Sequence, residues 1–334
     1  MARKVISALT MALIPFGAPL AEDDYDARLR AAEAAAPLTA GDPRSQPRIV
    51  GGEVVNTARP EEWRHAASLQ FDDQHFCGAT LVAPRFAQTS GGDIVVTGWT
   101  SSASPRVAVT AAHCVVDGDG WLISTEFLTV KSGAISFDHP DTRSQKVLHI
   151  EAHPGYGPNE ENDIALLVLG PPEGGDEAGE FADGKGRTLI LPTLPQGEDY
   201  QLSNVPLDVL GWGRTAEGGQ MSDDLRMVRV PFSDQADCEA SYSKVGFALD
   251  TTGFCAGFRT GGFDSCQGDS GGGVVYRPRS PDGRLRPGPG ILVGVVSWGE
   301  GCARYGLPGI YADTLQQVWF LNAAAARHWE LIDG

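Results

Sequence analysis

From Ile49 onward the chain alternates short apolar runs, rich in Val, Ile, Leu and aromatic residues, with clusters of Gly, Pro, Asn and Asp. Residues 67–71, 94–97, 107–110, 164–169 and 291–297 each read as strands, because such runs bounded by turn residues fit a pleated, buried surface better than a helix face. Only the tail, 316–327, has the spacing of a helix. No tandem repeat of fixed short period is visible, and the Pro-, Gly- and acid-rich stretch 170–179 is the best candidate for a link between two halves.

The first 48 residues follow a different pattern. Arg3 and Lys4 precede an uncharged, mostly apolar run over 5–21 that ends in small residues. This is the pattern of a secretory signal peptide. The run is shorter than the ~20 residues of a spanning helix and contains Pro15 and Pro19, which argues against a membrane anchor. Residues 22–48 pass from an acidic, Ala-rich stretch to Pro, Gly and polar residues, with too little apolar periodicity for a core, and read as a linker or removable pro-segment.

Composition narrows the fold class. In 334 residues there are 42 Gly and 22 Pro, and 21% of positions are charged, which disfavours a coiled coil or helical bundle and favours many short strands. The formal charge of −17, with no Lys/Arg-rich run, gives no basis for nucleic-acid or membrane-surface binding. Six cysteines are an even number, compatible with three disulfides in an oxidising compartment.

Three segments pair a reactive side chain with the surroundings its chemistry needs. Gly268-Asp269-Ser270-Gly271-Gly272 sets a serine between glycines, so the backbone can bend sharply and turn N–H groups toward a developing oxyanion. Thr110-Ala111-Ala112-His113-Cys114 puts a histidine beside small residues and a cysteine. Asn162-Asp163 runs a carboxylate directly into an apolar strand, which is costly without a compensating partner such as an imidazolium. Taken singly, each has an ordinary reading: a glycine loop, a structural or metal-binding histidine, an aspartate at a strand start.

Together, in the order His, Asp, Ser, the three segments resemble the trypsin-like (chymotrypsin-fold) serine proteases, and the resemblance runs from Ile49 to about the C-terminal helix. It implies an all-β fold: two six-stranded antiparallel Greek-key β-barrels, about 49–170 and about 205–315, with the active site in the cleft between them and a helix over about 316–327. The domain organisation is then a signal peptide 1–21, a pro-segment 22–48 and a protease domain 49–334.

Carried over residue by residue, the resemblance makes Ser270 the nucleophile, His113 the general base and acid, and Asp163 the group that orients the imidazole. The backbone N–H groups of Gly268 and Ser270 would form the oxyanion hole. Arg48-Ile49-Val50-Gly51-Gly52 matches the family's activation junction, with Asp269 as the buried partner of the α-amino group freed at Ile49. Asp264, six residues before the serine, would be the base of a pocket for Arg or Lys, with Ser265 beside it, walls from Ser297, Trp298, Gly299 and Gly309, and Tyr242 supporting from behind. The implied disulfides are Cys77 with Cys114, Cys238 with Cys255, and Cys266 with Cys302.

The activity implied is secreted, extracellular or periplasmic, endopeptidase cleavage after Arg or Lys, by a monomer acting on protein or peptide substrates and open to protein protease inhibitors. No cofactor, nucleic acid or membrane partner is implied, and 132–150 lacks the glutamates of the family's calcium loop, so no metal is expected. The histidines at 65, 75, 139, 149, 153 and 328 suggest only surface or turn roles. Departures from the family pattern are an insertion near 88–106, read as an expanded hairpin, a second near 277–289, and Gly273 where proline is usual. Glu160 falls where the family lines neighbouring subsites. Two other functions are compatible with this fold: a binding protein without catalysis, and an esterase using the same three residues.

Overall fold

The computed structural model describes residues 50–100, 105–173, 200–202, 204–279 and 290–333. The segments expected as signal peptide and pro-segment, with Arg48 and Ile49, lie outside the described residues, as do most of the expected 170–179 link and the greater part of the 277–289 insertion.

The strands form two antiparallel sheets. The first contains β2 (Ala66–Phe71), β3 (Gln74–Gln88), β4 (Ile94–Thr100), β5 (Val107–Thr110), β6 (Leu128–Ser132), β7 (Arg143–Ala152) and β8 (Ala165–Leu169). Its order is β2-β6-β7-β8-β5-β3, and β3 pairs back onto β2, so six strands close into a barrel. The β2–β3 hairpin turns on Asp72 and Asp73, both at positive φ (48° and 61°), the backbone state that two-residue hairpin turns require and that Asp tolerates. The outer half of β3 runs past the barrel and pairs with β4, Ala83 opposite Thr100 and Gln88 opposite Ile94. The insertion is thus an expanded hairpin, carried on a strand of 15 residues.

The second sheet contains β1 (Glu53–Val54), β9 (Pro206–Gly211), β10 (Arg226–Pro231), β11 (Gly253–Ala256), β12 (Gly273–Tyr276), β13 (Ile291–Trp298) and β14 (Gly309–Asp313), in the order β1-β10-β9-β12-β13-β14-β11. A single bridge between Phe232 and Ala256 brings the end of β10 to β11 and rounds off this ring. Leaving out β1 and β4, both rings follow one scheme: second strand, first, fourth, fifth, sixth, third. The repeat is of topology, carried by sequences that share no visible period.

Each ring encloses apolar side chains, Leu69, Leu81, Val109, Val130, Leu166 and Val168 in the first and Val209, Val228, Val230, Phe254, Val293 and Tyr311 in the second. Helix α2 (Thr314–Arg327) is capped by Asp313, whose carboxylate accepts from the Leu315 N–H at 2.8 Å. It buries Phe320, Leu321, Ala324 and Ala325 in the first barrel's core cluster, which also takes in Leu292, Val295 and Ala312 of the second sheet. The chain therefore returns from the second sheet to lock against the first.

Two sequence expectations need correction. The tail is not the only helical segment: α1 (Gln235–Ser243) lies between β10 and β11, and α3 (Trp329–Asp333) follows α2. Helix α1 lacks an amphipathic pattern. It is held instead by Asp234, which accepts from the N–H groups of Ala236 and Asp237, by the Cys238 disulfide and by burial of Tyr242. Second, the division of strands at about residue 170 is not clean, because β1 pairs with β10 in the second sheet, Glu53 opposite Met227. A two-residue strand has too little pattern to be read before its partner is known.

Candidate active site

The register of the first barrel brings His113 and Asp163 together. Thr110, the last residue of β5, lies opposite Ala165, the first of β8, so the segments leaving one strand and entering the other run side by side. His113 sits on the short helical turn Ala112–Cys114 directly after β5, and the Cys77–Cys114 disulfide ties that turn to β3. Asp163 is buried (1% exposed) and accepts three hydrogen bonds: from His113 Nδ1 at 2.8 Å, from the His113 backbone N–H at 2.9 Å, and from Ser297 Oγ at 2.5 Å. Ser297 belongs to β13 of the second sheet, so this carboxylate joins the two sheets.

A carboxylate only accepts, so the neutral His113 ring carries its proton on Nδ1 and leaves the Nε2 lone pair free. Burial alone would pull the imidazole down, but the hydrogen bond and charge of Asp163, aided by the charge of Glu160, hold it above the ordinary histidine value. Glu160 Oε2 lies 3.9 Å from His113 Nδ1 and accepts from Tyr156 Oη at 3.0 Å. Burial, reinforced by the nearby Asp163, raises the Glu160 carboxyl above its usual range.

Ser270 occupies a tight turn packed on the strands that carry His113. Its carbonyl accepts from the Gly78 N–H at 2.7 Å, and the Gly78 carbonyl accepts from Thr110 Oγ1 at 2.8 Å. Gly271 has φ +79°, and a Cβ there would lie 2.3 Å from Thr110 Oγ1 and 2.4 Å from the Gly78 carbonyl oxygen, so only glycine permits this approach. Among the described residues, no backbone carbonyl takes the N–H of Gly268 or of Ser270. Asp269 is fully buried and receives N–H groups from Gly213 at 2.8 Å and Cys266 at 2.9 Å. Burial nonetheless pushes its carboxyl up to about 7.

Asp264 lies on the segment between β11 and the turn that holds Ser270. It is buried and accepts from the N–H groups of Ser265 at 2.8 Å and Ala303 at 3.0 Å, with Tyr311 Oη at 3.4 Å. Burial pushes its carboxyl up to about 7 against the opposing pull of these donors. A Cβ on Gly309 would lie 2.7 Å from Asp264 Oδ1, so a side chain there would crowd the carboxylate, and a Cβ on Gly299 would lie 3.8 Å from the Gly309 Cα. Ser265 Oγ stands between Asp264 and Tyr311. Trp298 packs edge-on against Tyr242, whose hydroxyl donates to the Pro308 carbonyl at 2.7 Å. The Cys266–Cys302 and Cys238–Cys255 disulfides brace this region.

A family model described as Trypsin matches residues 87–319. The chain belongs to the trypsin family of serine proteases. It is 34% identical over 288 residues to trypsin 5G1 of Aedes aegypti, covering 86% of this chain and 85% of that one. It is 32% identical over 265 residues to a trypsin of Saccharopolyspora erythraea, covering 79% and 92%. It is also 34% identical over 284 residues to the vitellin-degrading protease of Bombyx mori, covering 84% of each chain. The activity of a trypsin-family chain is that of a serine endopeptidase, acting on protein or peptide substrates.

Within this trypsin-family framework, three features of the site went unread in the sequence. Ser297, expected as a pocket wall, donates to Asp163. His75, expected to have no special role, accepts from Ser68 Oγ on Nδ1 at 2.8 Å and donates from Nε2 to the Gly268 carbonyl at 3.0 Å. Burial lowers it to about 4, so it is neutral and braces the loop before Ser270 as a dipole, not a charge. Met221, on the loop between β9 and β10, covers Gly268: a Cβ on that glycine would lie 2.3 Å from the methionine methyl. None of these had a local signal, because each partner is remote in sequence. Among the described residues, no helix is long and apolar enough to cross a membrane.

Proposed function

We propose that the protein is a secreted serine endopeptidase, made as a zymogen with signal peptide 1–21 and pro-segment 22–48, whose protease domain 49–334 is released by cleavage between Arg48 and Ile49 and hydrolyses peptide bonds after Arg or Lys. The observation that carries the specificity is the buried Asp264 carboxylate beneath two glycines. A guanidinium or ammonium reaching it would replace the missing solvation, whereas an apolar side chain would leave it unpaired.

In this reading Ser270 Oγ attacks the carbonyl carbon of the scissile bond while His113 Nε2 takes its proton, and Asp163 stabilises the imidazolium that forms. The oxyanion is received by the N–H groups of Gly268 and Ser270, each worth ~3 kcal/mol to the transition state. His113 then gives the proton to the leaving amine, and water, deprotonated by the same nitrogen, hydrolyses the acyl-enzyme and restores Ser270.

Activation is supported from the other side of the pocket. The Val50 carbonyl accepts from the Asp264 N–H at 3.0 Å, and Val50 is buried with Cys266 and Cys302, next to the loop that holds Asp269. An α-amino group at Ile49 would pair with a carboxylate whose raised pKa marks an uncompensated buried charge. Arg48 is itself a residue the pocket would accept, which makes self-activation part of the proposal. The first 48 residues carry six basic and six acidic groups, so the mature chain keeps the −17 charge and would draw cationic substrates and protein inhibitors to a monomeric enzyme.

The test is N-terminal sequencing of the active form together with cleavage-site profiling on a peptide library. A mature terminus at Ile49 and cleavage after Arg and Lys are expected. An active form retaining Arg48, or cleavage after apolar residues, overturns the corresponding part.

A further inference from the structure

On the face of the first barrel where α2 ends, three side chains converge that the peptidase reading leaves unused. His149 and Glu151 stand two apart on β7 and so project to the same side of the strand, and His328 follows the last residue of α2. Glu151 Oε2 lies 2.9 Å from His328 Nε2 and 3.7 Å from His149 Nε2, and one donor atom from each residue falls within 4.8 Å of the other two. The two imidazole rings are in contact, centroids 4.0 Å apart. Arg327 donates to the other carboxylate oxygen, Glu151 Oε1, at 2.7 Å and so fixes the direction of Oε2.

We propose that His149, Glu151 and His328 form a zinc-class transition-metal site that clasps the end of the C-terminal helix to the first barrel. A tetrahedral Zn²⁺ with ligands at ~2.0–2.2 Å holds its donor atoms roughly 3.3–3.5 Å apart, a spacing bracketed by those seen here. Two imidazole nitrogens and one carboxylate oxygen suit Zn²⁺, Co²⁺ or Ni²⁺ and not the all-oxygen preference of Ca²⁺ or Mg²⁺. To ligate through Nε2, His328 must carry its ring proton on Nδ1, so the metal replaces the His328–Glu151 hydrogen bond. Arg327 acts from behind as the group that orients a ligating carboxylate. The three side chains are part-exposed, His149 the most at 41%, which gives the ion an entry path and leaves a fourth position for water. The site is separate from the group formed by His113, Glu160 and Asp163, and the third cluster of this kind among the described residues, Cys77, His113 and Cys114, offers no thiolate because its cysteines are joined.

The test is calorimetric titration of the purified, chelator-treated enzyme with Zn²⁺, alongside thermal unfolding with and without the ion. The expected result is one saturable site and a raised Tm, with binding weakened at least about tenfold in both His149→Ala and His328→Ala and the Tm shift lost in each. Circular dichroism in chelator checks that the variants are folded. Should His328→Ala not fold, His149→Ala, at a part-exposed strand position, carries the test. No saturable binding by the wild type overturns the proposal. So does binding of unchanged affinity in the folded variants, including binding that disappears only in His113→Ala and therefore belongs to the active site.

Discussion

Asp163 grips His113 at two points, Oδ2 accepting from Nδ1 at 2.8 Å and Oδ1 accepting from the backbone N–H at 2.9 Å. The carboxylate therefore sets both the position of the ring and the nitrogen that bears its proton. An amide cannot accept at both points: with its NH₂ turned to His113 Nδ1 it forces the proton onto Nε2, the nitrogen proposed as the base. Asp163→Asn is expected to leave the fold intact and lower kcat by about 10⁴-fold, the magnitude known for this change in the family. A steady-state assay beside an unchanged circular dichroism spectrum checks it.

Glu160 approaches the same nitrogen at 3.9 Å and helps to raise the His113 pKa. If His113 is the base for Ser270, as proposed, only its neutral form can take the proton, so activity falls as pH drops through that pKa. Replacing the charge in Glu160→Gln should lower the pKa and move the acid limb of kcat/KM toward lower pH, leaving the plateau nearly unchanged. A pH–rate profile that is superimposable on the wild type would show that solvent screens this pair completely.

Asp264 meets several hydrogen-bond donors but burial still raises its carboxyl, which fits the proposed role of a partner for a substrate cation. Asp264→Ser is expected to lower kcat/KM on Arg and Lys peptides by about 10³-fold, the cost of removing one partner from a buried ion pair, with apolar peptides little affected. Matched peptide substrates differing at the cleaved residue measure it.

Asp269 is buried in the turn that holds Ser270. If its partner is the amino group freed at Ile49, blocking the cut leaves that carboxylate uncompensated and the turn misformed. Arg48→Gln is expected to be secreted but nearly inactive, and full activity of the intact chain, verified by mass spectrometry, would sink the zymogen reading.

The Cys77–Cys114 disulfide closes a span of 37 residues and holds the turn bearing His113 against β3. Replacing both cysteines by alanine should cost about 4 kcal/mol of stability on the chain-entropy account. Denaturant unfolding gives the value directly, and a larger loss of activity than of folded fraction would locate the extra effect in the mobility of His113.

How much of this was readable in one dimension depended on the range of each interaction. Short apolar runs bounded by turn residues marked β2, β5, β8 and β13, because a strand buried along nearly its whole length shows that burial in its own residues. The Asp72-Asp73 turn and the Asp313 cap have equally local causes. Helix α1 escaped because what stabilises it, a disulfide and a buried tyrosine, lies outside its own pattern.

The sequence by itself determined the residue types and their order: a serine among glycines, a histidine beside a cysteine, an aspartate entering an apolar strand, an acid six residues before the serine. Strand pairing decided which of them meet. Closing β5 against β8 joins His113 to Asp163, β13 supplies Ser297 from the other sheet, and the return of α2 carries His328 to His149 and to Glu151, 177 residues earlier in the chain. Burial then decided their charges, since a carboxylate such as Asp264 has an ordinary pKa in an open chain and a raised one only where the fold removes water around it.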